Sequence, residues 1–172
     1  MIRNLKTISA LILSLLIAGC IGSGTIIFVF DLDEFVSSSA GMEVVEVDLT
    51  TNSDYNDNKD KIKSIDQVTV VGWFVNLEPA DNQAELYVAD VGTYSTPADV
   101  RANATRVFVS PVMAGSDSVF ISWSDGLSHI ENLTVLKDKA DAGYFWIYGL
   151  AADSPFTVRY RLSLVITMTA GL

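Results

Sequence analysis

The sequence predicts a mainly β protein, an antiparallel β-sandwich of about seven to nine strands with two short helices. Three observations carry this expectation. Short runs rich in Val, Ile, Phe, Trp and Tyr recur along the 172 residues, separated by turn-forming residues. The last run alternates, with Phe156, Val158, Tyr160, Leu162, Leu164, Ile166 and Met168 on one parity and mostly Thr, Ser and Arg on the other. Successive side chains of a strand point to opposite faces, so this is a long strand with one buried face. Finally, strands and helices do not alternate regularly, as they would in a parallel sheet.

In chain order, the first strand is expected over 25–30, reaching toward Phe35, and the second over 44–49. A helix is predicted over 54–64, because Asn52 or Ser53 can cap it and Asp57 stands four residues before Lys61. The run 67–77 is apolar on both parities (Val68, Val70, Phe74 against Val71, Trp73, Val75), which suits a central strand covered on both sides. Strands over 84–91, 106–112 and 118–123 follow, and Ser124-Asp125-Gly126 reads as a turn. A second helix is predicted from Ser128, with Glu131 completing a capping box, Ile130, Leu133 and Leu136 as its apolar stripe, and Gly143 as terminator. The aromatic run 144–150 and the final strand are joined by a short connection and read as a hairpin. The helices are expected to plug the open ends of the sandwich or to cover an edge, and no internal repeat is visible.

Composition narrows the function. A formal charge of −10 argues against nucleic acid as a partner, because binding phosphates needs a basic face. The single cysteine rules out an intrachain disulfide, so stability must come from the core.

That cysteine sits in a distinctive context. Arg3 and Lys6 open the chain, and an apolar run over 8–18 follows, interrupted only by serines. As a helix the run reaches roughly 17 Å, against the roughly 30 Å of a bilayer core, which favours an export signal over a spanning anchor. It ends in Leu16-Ile17-Ala18-Gly19-Cys20, which resembles the lipobox of bacterial lipoproteins, with Ile17 where Leu is commonest. The resemblance covers only the first twenty or so residues. It implies a signal peptide over 1–19, removed before Cys20, and acyl chains on the Cys20 thiol that hold the protein on a membrane. Residues 20–24 would then be the lipidated cysteine and a short tether, and 25–172 a single domain. The implied location is the cell envelope, and the outer membrane in a Gram-negative host, because no Asp follows Cys20. The alternative is an ordinary secretory signal with Cys20 an incidental thiol. The layout also resembles bacterial β-sandwich lipoproteins without an assigned activity.

Inside the domain the chemistry is sparse. His129 is the only histidine and is read as a solvated residue on the first turn of the second helix. Neither H-E-x-x-H nor G-x-S-x-G occurs. Residues 54–60 start like a calcium loop, but Lys59 stands where the turn needs Gly, and Ile65 where the closing Glu belongs. Asp31, Asp33 and Glu34 are candidate paired carboxylates for glycoside hydrolysis. Trp73, Trp123 and Trp146, with Tyr144 and Tyr148, are candidates for a sugar-stacking platform if they face outward. The sequons at Asn103 and Asn132 would matter only in a host that glycosylates asparagine.

The expectation is therefore a non-enzymatic, lipid-anchored envelope protein with a structural, adhesive or assembly role, without a cofactor or metal, its protein or glycan partner open. The alternatives are a glycan- or ligand-binding lipoprotein using exposed aromatics, with or without calcium, and a hydrolase using paired carboxylates. A further option is a subunit that pairs edge strands between copies, through the final strand or the strand over 25–30.

Overall fold

The computed structural model describes residues 23–37, 41–152 and 157–171. The signal, Cys20 and the start of the tether lie outside these residues. The strands are β1 (Ser23–Asp31), β2 (Phe35–Val36), β3 (Met42–Asp48), β4 (Ile62–Asn76), β5 (Ala84–Ala89), β6 (Thr105–Val109), β7 (Ser118–Ile121), β8 (Tyr144–Ala151) and β9 (Val158–Gly171). The helices are α1 (Ser53–Asn58), α2 (Pro97–Asn103), α3 (Trp123–His129) and α4 (Leu133–Ala142).

Two antiparallel sheets form the sandwich, as the sequence predicts. One runs β1-β9-β4-β7, with β2 also paired to β9, and the other runs β3-β8-β5-β6. The pairings nest: β1 with β9, β3 with β8, β4 with β7, and β5 with β6. Leaving out the two-residue β2, first pairs with last, second with second-last, and so inward, alternating between sheets. That is the connectivity of a jelly roll, a long hairpin folded over on itself.

Each of the eight expected strands is present, some with shifted ends; β1 starts at Ser23 and so takes in Ser23 and Gly24 of the expected tether. The last two strands do not form the expected hairpin. β8 pairs with β3 and β5 in one sheet, while β9 pairs with β1 and β4 in the other. Both strands have apolar faces to bury, and facing each other across the core satisfies both. Tyr160 Oη closes this junction by donating to the Leu150 carbonyl at 2.8 Å. Its ring stacks on Phe35 at 4.5 Å, and burial pushes its phenol far above the usual tyrosine range.

The helical expectations need more correction, since among the described residues four short helices replace two. Residues 54–64 are not one helix: α1 ends at Asn58, one 3-10 turn follows, and β4 starts at Ile62. Only Tyr55 of α1 is buried, so this segment has no apolar stripe to extend a helix. Asn52 does cap it, accepting from the Tyr55 N–H at 3.1 Å. Ser124-Asp125-Gly126 lies inside α3, which Ser122 caps by accepting from the Asp125 N–H. Ser128 sits near the end of α3, and α4 begins after Asn132 without a side-chain cap. Gly143 ends α4 in the left-handed region, as expected. The unexpected helix α2 carries its own signature: Thr96 accepts from the Asp99 N–H, and Pro97 occupies the first turn.

The main core lies between the sheets and includes Phe74, Phe108, Phe145, Leu164 and Ile166. A smaller cluster (Tyr87, Ala89, Val100, Tyr148, Leu150) lies outside the second sheet, where Val100 of α2 joins it. On the first sheet α3 packs closely over β4. A Cβ on Gly126 would stand 2.4 Å from both Thr69 Oγ1 and the Val70 carbonyl, so only glycine permits this approach.

Candidate functional site

The outer face of the five-stranded sheet carries four of the exposed large apolar side chains, Ile27, Val29, Trp73 and Phe120. It is built by alternate residues of β1 (Ile27, Val29, Asp31), β9 (Arg159, Arg161, Ser163, Val165), β4 (Thr69, Val71, Trp73, Val75) and β7 (Phe120). Helix α3 seals the part over Thr69, which is buried. β4 is central, as expected, but this cover does not extend to Trp73, which is 46% exposed.

In register with Trp73 lie Phe120 of β7 on one side and Arg161 of β9 on the other. The Trp73 and Phe120 rings sit 5.2 Å apart, tilted by 53°, and Phe120 is 48% exposed. This is a small apolar platform of the kind that stacks against the C–H face of a flat ligand. Beside it, Arg161 Nε and Arg159 Nε reach Glu34, the latter at 3.4 Å. A hollow of about 230 Å³ is lined by Asp31, Leu32, Glu34, Arg161, Leu162 and Ser163.

Two of the candidate acids, Asp31 and Glu34, thus share one hollow, whereas Asp33 does not line it. Their oxygens already have partners. Glu34 is matched by two guanidinium groups, and Asp31 accepts from Ser163 Oγ at 2.6 Å. A general acid and base for glycoside cleavage must reach the scissile bond with a free oxygen, whereas Glu34 is held in ion pairs and Asp31 by a hydroxyl of the neighbouring strand.

The three tryptophans do not form one platform. Trp73 lies on the five-stranded sheet and Trp123 at the first position of α3, 44% exposed. Trp146 lies on the outer face of the other sheet, half-buried with the smaller cluster. Of the tyrosines, Tyr148 is fully buried, and Tyr144 donates to Glu46 at 2.7 Å. Phe120, unnamed in the sequence reading, is the true companion of Trp73. The alternation of 118–121 marks it as facing opposite to the buried Ile121, but only the sheet order brings it beside Trp73.

His129 is the last residue of α3, half-buried, its ring 5.9 Å from that of Phe108, and not a solvated first-turn residue. The calcium-like stretch is α1 and the 3-10 turn after it, where Asn58 Nδ2 donates to the Asp54 carbonyl. Among the described residues no three His, Cys, Asp or Glu side chains are grouped to hold a metal.

One charged knot was not anticipated. Glu85, only 9% exposed at its side chain, pairs with Arg101 of α2 at 3.1 Å and Arg106 of β6 at 2.8 Å. Arg106 also holds Glu131 at 2.9 Å, and the bonds to Glu131 and Glu85 raise its pKa further. Tyr87 donates to Glu85 at 3.2 Å, and burial, with Glu85 second, raises its phenol. Every charge here has a partner, which marks the knot as a clamp holding α2 on the sheet. The only sequence signal was an acid on the outward parity of an otherwise apolar run.

No protein-family model matches the chain, and no curated protein matches it. Among solved structures it is similar to a chain of Desmodium yellow mottle tymovirus, with 9% identity, a TM-score of 0.35, and coverage of 87% of this chain and 89% of that one. It is also similar to part of dimeric latent PorU from Porphyromonas gingivalis, at 9% identity and a TM-score of 0.39, covering 88% of this chain and 13% of that one. At such scores neither likeness bears on function.

Proposed function

We propose that this is a non-enzymatic, lipid-anchored protein of the cell envelope whose sandwich has a structural, adhesive or assembly role. The observation that carries the role is the exposed face of the five-stranded sheet: Ile27 at 61%, Val29 at 53%, Trp73 and Phe120 stand open on it, while the acids beside them are tied to arginines and a serine. Apolar side chains gathered on one face suit contact with a partner, and paired acids do not suit acid–base chemistry. The anchor rests on the Leu16–Cys20 pattern. It is tested by feeding cells radiolabelled palmitate: the wild-type chain takes up label and stays with membranes, whereas Cys20→Ala takes up none and is released. Equal labelling, or equal membrane retention, of the two proteins would remove the anchor.

A second reading, saccharide binding, is favoured by the Trp73–Phe120 pair beside the polar hollow. It requires that Trp73→Ala abolish retardation of the protein in gels cast with soluble β-glucan. A wild-type chain that the glucan does not retard would count against it.

A further inference from the structure

Of the two strands considered as donors for pairing between copies, β9 is ruled out by its position between β1 and β4, and among the described residues β1 is left at the sheet edge. Its ladder position shows which groups it offers. Leu32 N–H donates to the Leu162 carbonyl at 2.9 Å, in the same register that pairs Asp31 with Ser163. Alternate residues of an antiparallel strand turn their N–H and C=O groups to opposite sides. The even residues of β1 therefore bond to β9, and Thr25, Ile27, Val29 and Asp31 direct theirs at the open edge.

Edges are normally guarded by charge, proline, bulges or shortness. The other outer strands show such devices: β3 carries Glu43, Glu46 and Asp48, β6 carries Arg106 in the charged knot, and β7 has four residues. β1 has nine residues, Ser-Gly-Thr-Ile-Ile-Phe-Val-Phe-Asp, with one charge at its end, and it pairs with β9 without a register shift.

We infer that β1 is a self-pairing edge, through which two copies join by antiparallel β1–β1 pairing about a two-fold axis at Phe28. The open groups sit on odd residues, so a hydrogen-bonded register must set odd against odd. The register centred on Phe28 does so and places Ile27 of one copy opposite Val29 of the other, covering both exposed apolar side chains twice over. It also sets Ile26 against Phe30, both half-buried on the inner face, and Asp31 against Thr25, whose hydroxyl can donate to the carboxylate. The two Asp31 side chains lie about 20 Å apart, six residues along the strand, beyond the screening length at physiological salt. A register centred one residue earlier or later sets Ile27 on Ile27 or Val29 on Val29 and leaves Val29 or Ile27 against Thr25 or Asp31. The product is one continuous sheet running through both molecules.

This inference rests on the assembly part of the proposed role. The test uses the full-length chain in non-ionic detergent, with mass measured by light scattering. The wild type is expected to be a dimer, and Ile27→Lys with Val29→Lys a monomer with an unchanged circular dichroism spectrum, since both positions are exposed. In a Cys20→Ser background, chains carrying Ile27→Cys and Val29→Cys should form a disulfide when mixed and oxidised. Opposed residues stand about 5.5 Å apart, within disulfide reach. Neither chain alone should cross-link, because the diagonal separation is about 7–8 Å. A monomeric wild type, a dimer indifferent to the two lysines, or Ile27→Cys cross-linking to itself would each overturn the pairing. A failed palmitate label would remove the anchor and leave this mass measurement standing, and a monomer would leave the label standing.

Discussion

Asp66 shows how a single side chain ties two strands. On β4, its carboxylate accepts from Thr169 Oγ1 of β9 and from Ser64 Oγ, each at 2.7 Å, and these bonds, the first above all, hold its pKa below the usual carboxylate value. With the folded pKa lowered, the unfolded chain takes up the proton first as pH falls. The stabilisation is then complete above the ordinary value of about 3.9 and disappears as pH drops through the folded value. Asp66→Asn should accordingly lower the urea midpoint at neutral pH by more than it does in acid, so that the mutant's acid limb is the flatter one. Urea titrations across that range check it. Nothing in the local sequence marks Asp66, because Thr169 lies 103 residues away. Trp73 is a similar case. Its place in the strand was legible, but its exposure depended on how much of β4 the helix α3 covers.

Elements with a clear period were read well, and those defined by capping alone were not. The alternation in β9 survives intact, with Val158, Tyr160, Leu162, Leu164, Ile166 and Met168 all buried. The Ser128–Glu131 spacing, by contrast, fits a capping box, yet Ser128 donates to the Asp125 carbonyl and Glu131 pairs with Arg106. A cap is worth only about 1 kcal/mol, so tertiary partners decide which of several candidate caps is used. The clamp on α2 makes a prediction at this scale. Glu85→Gln leaves Arg101 without its counter-charge and Arg106 with Glu131 alone, and because both guanidiniums are partly solvated the loss should be about 2 kcal/mol, below that of a fully buried pair. Urea unfolding gives the magnitude, and faster hydrogen exchange confined to residues 97–103 would show that α2 is what the clamp holds. A uniform rise in exchange would argue for a general loss of core stability instead.

For the whole molecule, nested pairing makes the fold depend on its two ends. β1 pairs with β9 over nine residue pairs, from Ser23 with Gly171 to Asp31 with Ser163, and β9 is also the main neighbour of β4. Such long-range contacts make the sandwich slow to assemble and leave its first sheet incomplete until the last strand arrives. A chain ending at residue 157 should therefore show no cooperative urea transition and no near-ultraviolet circular dichroism. A cooperative transition in that truncated chain would mean that the other strands form a core without β9.

The sequence by itself determined where the strands fall, which parity of the final strand is apolar, and the Leu16–Cys20 pattern on which the anchor reading rests. These are local properties, carried by the two-residue period of a strand or by a short run of neighbours. Only the tertiary structure decided that β8 and β9 lie in opposite sheets, that Phe120 and not Trp123 or Trp146 stands beside Trp73, that Glu34 is held by two arginines, and that β1 is left at an edge. Each depends on contacts between residues far apart in the chain. Local pattern fixes which way a side chain points from its strand, but sheet order fixes what stands next to it.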